Sequence, residues 1–344
     1  MKAVVLQGPR QLALVDKENP KPKEGEILLK VRAAAICGTD IRMWNTGADS
    51  AMNRILGHEV SGIIAATGKD VIHFAPGDRV VVAPNMGCGH CRHCISGNSH
   101  LCRNYQALGI QLDGAFAEYC IIPRPAVDQG NVFKLSDSIP FAEAAAIEPL
   151  SCVFNGFEHY RVQPGDTVLI IGGGPIGAMH ALFAKMAGAS RVIVNDLSQE
   201  RLDVLQEVLP GIDTYHGNIL RDYVMDVTAG EGVDVCVTAC PSPAAQQCSF
   251  DLMATNGRVC FFGGLPSGMN MVPLNTNLIH YKQLMVTGTT RSSLSQFHTC
   301  LHLVESGVID LGCLITNHFR LEEHDAAFAH VASAQGLKSV FDIE

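Results

Sequence analysis

Over the first ~150 residues the apolar positions come in short runs that suit strands: GEILLKVRAAAI, SGIIAAT, DRVVVAP and AEYCIIP, separated by Gly, Pro and Asp turns. This pattern predicts a β-rich, barrel-like domain. Near Val162 the texture changes. An apolar run, TVLII, precedes a helical stretch, PIGAMHALFAKMAGA; then RVIVND precedes a second helix, SQERLDVLQEVL. Strand and helix now alternate, as they do in a doubly wound parallel sheet. VDVCVTA, GRVCFFGG and LMVTGT are further strand candidates. After Thr290 follow an amphipathic stretch, SLSQFHTCLHLVESG, the short LITNHF, and a final helix and strand in HDAAFAHVASAQGLKSVFDI. The expected class is α/β, with a β-rich domain beside a doubly wound one.

Where the pattern changes, the sequence VLIIGGGPIGAMHA carries G-x-G-x-x-G as Gly172, Gly174 and Gly177, between a predicted strand and a predicted helix. The next strand ends in Asp196, close to the ~20-residue offset of a ribose-binding carboxylate. Gly172 permits the tight turn, Gly174 the approach of backbone to a pyrophosphate, and Gly177 the close packing of helix on strand. Pro175 suits a first helical turn, and with Ile176 it completes the loop. The helix N-terminus offers free N–H donors to phosphates. Asp196 accepts from ribose hydroxyls and repels a 2′-phosphate, so NAD is expected rather than NADP. Arg201 lies along the adenosine or is a solvated helix charge.

Charge and cysteine content narrow the partners. The chain of 344 residues carries 34 acidic and 25 basic side chains, net −9, with no basic block to track a nucleic acid. No apolar run approaches the roughly 18 residues of a membrane span, and MKAVVLQG is too short for a secretory signal, so a cytoplasmic protein is the default expectation. Thirteen cysteines, an odd number in a long chain, point to free thiols and metal ligands rather than a disulfide framework. Four of them, Cys88, Cys91, Cys94 and Cys102, stand in C-x2-C-x2-C-x7-C spacing. Four thiolates fill the sphere of one tetrahedral Zn²⁺; the alternatives are an iron–sulfur cluster, whose motif expects a different ending, and unmetallated thiols. A filled sphere has no place for a substrate, and it leaves His90, His93 and His100 as exposed loop residues.

An open metal position must draw ligands from elsewhere, and AAAICGTDIRMW and RILGHEVSG offer Cys37, His58 and Glu59. GHEVSGIIAATGKDV fits G-H-E-x2-G-x5-G-x2-V throughout, and the chain here resembles the zinc-dependent medium-chain alcohol and polyol dehydrogenases. The likeness extends over PGDRV, the four-cysteine lobe, DGAFAEY, the Glu148-Pro149 pair, GGGPIG and ITNHFRLEE. It implies a GroES-like β-rich catalytic domain of residues 1–152 and 288–344 enclosing a Rossmann domain of 153–287. It also implies a homo-oligomer, a tetramer ahead of a dimer. Residue by residue, it makes Cys37 and His58 ligands of a catalytic zinc and places Glu59 beside the metal as a fixed or exchangeable ligand. Glu148, before proline as in the polyol branch, ligates directly or through water, or is simply a carboxylate at a helix N-terminus. With the four-cysteine site this makes two Zn²⁺ per chain.

The same resemblance implies that the catalytic zinc acts as a Lewis acid on an alcohol hydroxyl whose hydride passes to NAD. Thr39 would open the proton relay. The relay's outer histidine is replaced by Arg42, which cannot serve as a general base at neutral pH. Arg291 aligns with an active-site arginine of the polyol branch, and Trp44 and Phe116 fall where pocket walls are common. A small-molecule polyol or related secondary alcohol is therefore the first expected substrate. L-threonine is the alternative, because the threonine branch shares CGTD and GHE, and sugar phosphates or acids remain open. A non-catalytic NAD-binding relative would be expected to have lost the ligands that are intact here.

Overall fold

The computed structural model describes residues 1–47 and 51–344, in two compact units: 1–151 with 292–344, and 152–291. In the first unit, one path of hydrogen-bonded strands runs Ile315–Phe319, Lys338–Asp342, Ile27–Ala35, Glu59–Thr67, Arg79–Val82 and Val132–Lys134, with Tyr119–Ile122 also paired to Ile27–Ala35. All these pairs are antiparallel except the first. Strand Ile27–Ala35 follows the two-residue alternation of a sheet with one buried face: Ile27, Leu29 and Val31 are buried, while Leu28, Lys30 and Arg32 are partly exposed. The buried face packs around Phe116, Phe328 and Phe341, whose rings meet edge to face at 5.1 and 5.9 Å.

The second unit holds a six-stranded sheet in the order Asp213–His216, Arg191–Asp196, Thr167–Ile171, Val233–Thr238, Met253–Phe261 and Met285–Gly288, every neighbour parallel. Numbered along the chain, that order is 3-2-1-4-5-6, the doubly wound arrangement that binds dinucleotides where the order reverses. Its central strands are apolar on both faces, as a sheet covered by helices requires. The α/β class and both domain types expected from the sequence are present.

The predicted helices form at Pro175–Met186, Gln199–Val208, Leu294–Glu305 and His324–Ala332. Ser198 and Ser293 cap two of them through their side chains, the latter in a reciprocal box with Gln296. Among the described residues no helix is long and apolar enough to cross a membrane.

Candidate functional site

In the first unit, strand register assembles a cluster of chemically distinct donors. Ala35 pairs with Glu59 at the ends of adjacent antiparallel strands. The chain leaving Ala35 therefore passes the chain entering Glu59, bringing Cys37 beside His58. The entry depends on Gly57, with φ of +94° and a position where a Cβ would lie 2.5 Å from the Phe116 ring. One donor atom each from Cys37, His58 and Glu59 lies within 4.8 Å of the others. His58 and Glu59 are buried.

Two residues passed over in the sequence complete this cluster. Cys37 precedes the helix Gly38–Thr46, whose Asp40 accepts a hydrogen bond from the Cys37 amide at 2.9 Å. The other Asp40 oxygen lies 3.5 Å from His58 Nδ1, a charge contact too long for a hydrogen bond. Lys338, which begins the C-terminal strand, places Nζ 2.5 Å from Glu59 Oε2 and donates to the Ile36 carbonyl at 3.0 Å. Burial alone would lower the His58 pKa, but the charges of Asp40 and Cys37 outweigh it and hold the imidazole well above its usual range. Burial likewise opposes the charge on Lys338, and Glu59 and Cys37 raise its pKa despite it. Both shifts report a strongly negative interior.

Glu59 Oε1 is buried without a hydrogen-bond partner. Buried polar atoms in that state need another partner. A sulfur, a nitrogen and a carboxylate oxygen in a negative pocket suit Zn²⁺, whereas Ca²⁺ or Mg²⁺ requires oxygen ligands. Glu148 lies outside the tight triad, in the first turn of the helix Ile147–Tyr160, buried, with its charge felt at Lys338. Its carbonyl accepts from Ser151 Oγ at 2.6 Å, and Ser151 Oγ is 2.7 Å from Ser292 Oγ. Thr39 is half-buried in the first turn after Cys37, and Arg42 is exposed on the same helix.

Phe116 corrects an expectation: it is wholly buried in the core rather than lining a pocket. Trp44 is half-buried, edge-on to Phe328 at 5.7 Å with the Arg10 guanidinium over its ring.

The four cysteines Cys88, Cys91, Cys94 and Cys102 also come together, with Sγ separations of 3.6 Å for Cys91–Cys94 and 4.0 Å for Cys88–Cys94. Backbone amides of His90 and Cys91 lower the Cys88 thiol to about 6, while burial raises Cys94 to about 11. Gly87 is required here, since a Cβ would sit 2.5 Å from Cys94 Sγ. The side-chain amide of Gln129 anchors the lobe, accepting from the Gly87 amide at 3.1 Å and donating to its carbonyl at 2.9 Å. Of the interleaved histidines His90 is exposed and His93 half-exposed, but His100 is buried, contrary to expectation, because its short helical turn Ser99–Leu101 folds beneath the lobe's entry strand. None of the thirteen cysteines forms a disulfide.

In the second unit the glycine loop has the geometry that its spacing requires. Gly172 has φ of +112°, and a Cβ on Gly177 would fall 1.9 Å from the Gly172 carbonyl. Gly174 precedes the helix Pro175–Met186 with no side-chain cap, so its first amides face outward; Gly174, Pro175 and Ile176 remain accessible. Asp196 Oδ2 accepts from the Gly173 amide at 2.6 Å and Oδ1 from Ser198 at 2.9 Å, with Arg201 Nη1 3.9 Å away. A cavity of about 410 Å³ lies over the carboxyl ends of these strands, lined by Gly172, Asn195, Asp196, Leu197, Cys240 and Cys248. The two thiols carried no signal in the sequence. Arg291 follows the last strand at φ of +56°, and its carbonyl accepts from Asn155 at 2.8 Å.

Comparison with known proteins agrees with this arrangement. Residues 23–134 match the alcohol dehydrogenase GroES-like domain, and residues 175–306 match the zinc-binding dehydrogenase domain. The L-threonine 3-dehydrogenase of Deinococcus deserti is 33% identical over 100% of this chain and 99% of its own. That of Pyrococcus abyssi is 35% identical over 95% and 94%. Among solved structures, a zinc-binding dehydrogenase from Sinorhizobium meliloti bound to NADP superposes with a TM-score of 0.90 at 30% identity, covering 99% of this chain and 98% of that one. An alcohol dehydrogenase from Escherichia coli with NADH does so at 0.90 and 26%, covering 100% and 99%.

Proposed function

The chain belongs to the zinc-binding dehydrogenases with an alcohol dehydrogenase GroES-like domain, and we propose that within this family it is an NAD-linked enzyme oxidising the secondary hydroxyl of L-threonine. The observation that carries the substrate is the end-to-end relationship to L-threonine 3-dehydrogenases of distant bacteria and archaea, at 32% to 35% identity. A polyol is the second reading, favoured by the Glu148-Pro149 pair and by Arg291.

Cys37, His58 and Glu59, with Glu148 nearby, are the residues to hold the catalytic zinc. In this reading Asp40, in charge contact with Nδ1, leaves the other imidazole nitrogen as the metal donor, and a shortened contact would give the carboxylate–histidine arrangement common at such metals. A zinc ion there supplies Lewis acidity toward a substrate hydroxyl, and a nicotinamide supplies the hydride acceptor. Thr39, two residues from Cys37, takes the role of passing on the hydroxyl proton in this reading. Arg42 cannot continue that path as a base, so the proton leaves by water.

Gly172, Gly174, Pro175, Ile176 and Gly177 present helix amides to the pyrophosphate, and Asp196 takes the ribose, with Arg201 beside it. The four-cysteine lobe holds a second, structural zinc. The active form in this reading is a cytoplasmic homo-oligomer.

NADH formation from NAD with L-threonine, D-sorbitol and xylitol separates the two substrate readings. The expected kcat/KM for L-threonine exceeds that for either polyol by more than about tenfold. A reversed ratio would replace the threonine reading with the polyol one.

A further inference from the structure

His180 lies on the helix Pro175–Met186, behind the glycine loop, and is 1% exposed. Burial keeps its imidazole neutral, and a neutral imidazole has one nitrogen to donate and one to accept. Nδ1 is taken by the Tyr160 hydroxyl at 2.9 Å, whereas the buried Nε2 has no hydrogen-bond partner. The Thr289 hydroxyl, one residue past the strand Met285–Gly288, is buried in the same condition. Polar atoms left so inside a protein destabilise it, and each calls for a partner.

Gly156 brings the two together. It lies inside the helix Ile147–Tyr160, where glycine is unfavourable relative to alanine. A Cβ there would stand 3.3 Å from the Phe262 ring, 3.4 Å from His180 Cε1 and 3.5 Å from Thr289 Oγ1. One point beside this glycine therefore adjoins both unpartnered groups, with an aromatic edge as its third wall. A point that is polar on two sides suits a water molecule better than a methyl group. The neighbouring Asn155 grips the same stretch of chain, donating to the Arg291 carbonyl at 2.8 Å and to that of Thr290 at 3.5 Å.

The stretch Thr289–Arg291 follows the sixth strand of the parallel sheet, and Phe262 follows the fifth. In a doubly wound sheet the two mononucleotide halves of the cofactor divide the strands between them. Asp196 ends the second strand and marks the adenosine half, so the nicotinamide half falls to strands four to six.

We propose that the niche beside Gly156 binds one water bridging His180 Nε2 and Thr289 Oγ1, which makes His180 a positioning residue for the segment facing the nicotinamide half of NAD. This rests on the reading of the second unit as an NAD site.

The test measures the affinity of the full chain for NADH and for ADP-ribose, which lacks the nicotinamide. In Thr289→Val, NADH affinity is expected to fall roughly tenfold, the scale of a lost buried hydrogen bond, with ADP-ribose unchanged. His180→Asn keeps a polar atom near Nδ1 but none at Nε2, and should do the same. The double variant should be no weaker than either alone, since a bridge broken at one end is not broken again at the other. His180→Gln, with a polar atom in the place of Nε2, should restore NADH affinity. Gly156→Ala, which fills the niche, should also weaken NADH alone and should lack the stabilisation that alanine brings to a helix interior. Losses that add in the double variant, losses equal for NADH and ADP-ribose, or unchanged NADH affinity in Thr289→Val would each overturn the bridge. If the wild-type chain binds neither ligand, the NAD reading falls and the bridge's role with it.

Discussion

Asp196 serves two structures at once. Its carboxylate accepts from the Gly173 and Ser198 amides, stapling the glycine loop to the end of its strand, and it lines the cavity over the strand ends. A ribose diol would approach oxygens already oriented by backbone donors, and a 2′-phosphate would meet their negative charge. Asp196→Ala is expected to raise the KM for NAD by about tenfold and to narrow the preference over NADP, as lost hydrogen bonds to a charged acceptor imply. Initial rates with both cofactors measure this, and an unchanged NAD to NADP ratio would remove Asp196 from ribose recognition.

At the level of elements, what could be read from the sequence follows how local each feature is. The glycine loop was readable because its three glycines, its strand and its helix are contiguous, and the positive φ of Gly172 and the close approach at Gly177 are both present in space, while Gly174 stands open. The four-cysteine lobe was readable for the same reason. The donor cluster was not readable from apolar periodicity: Cys37 and His58 meet only because Ala35 pairs with Glu59, and the family likeness pointed to these residues together before the fold did. Lys338 lies 279 residues beyond Glu59 and reaches it through a third strand, so no local pattern marks it. Asp40 carried a signal of its own, a carboxylate within CGTD, the segment whose Cys37 meets His58. His100 and Phe116 lie deeper than expected, because neither a filled zinc sphere nor a position matched to a family reports depth.

For the molecule as a whole, the pH response should carry the mark of one buried group. His180 is enclosed in the second unit, 2.9 Å from the Tyr160 hydroxyl and edge to face with Phe262 at 4.7 Å. Burial depresses its pKa from 6.5 to about 3. Between these values the unfolded chain binds a proton that the folded chain refuses, so stability rises with pH from about 3 to 6.5 and is level above. The slope from one such proton approaches about 1.4 kcal/mol per pH unit. Denaturant midpoints of wild type and His180→Gln, followed across that window, should differ in slope by up to this amount. Parallel profiles would mean that His180 is protonated in the native state.

The two units divide the work by chemistry. The antiparallel unit brings together unlike donors from distant strands, and the parallel unit presents helix amides and a carboxylate at its strand ends. The central claim is that Cys37, His58 and Glu59 form the reaction centre of an NAD-linked dehydrogenase, separate from the four-cysteine lobe. The most direct measurement is zinc per chain together with NADH formation on the best substrate, for wild type and Cys37→Ser. The expected result is about two zinc and turnover in wild type, against about one zinc and a loss of more than about a thousandfold in a variant that still folds. A folded Cys37→Ser protein with both zinc ions and wild-type turnover would contradict the account.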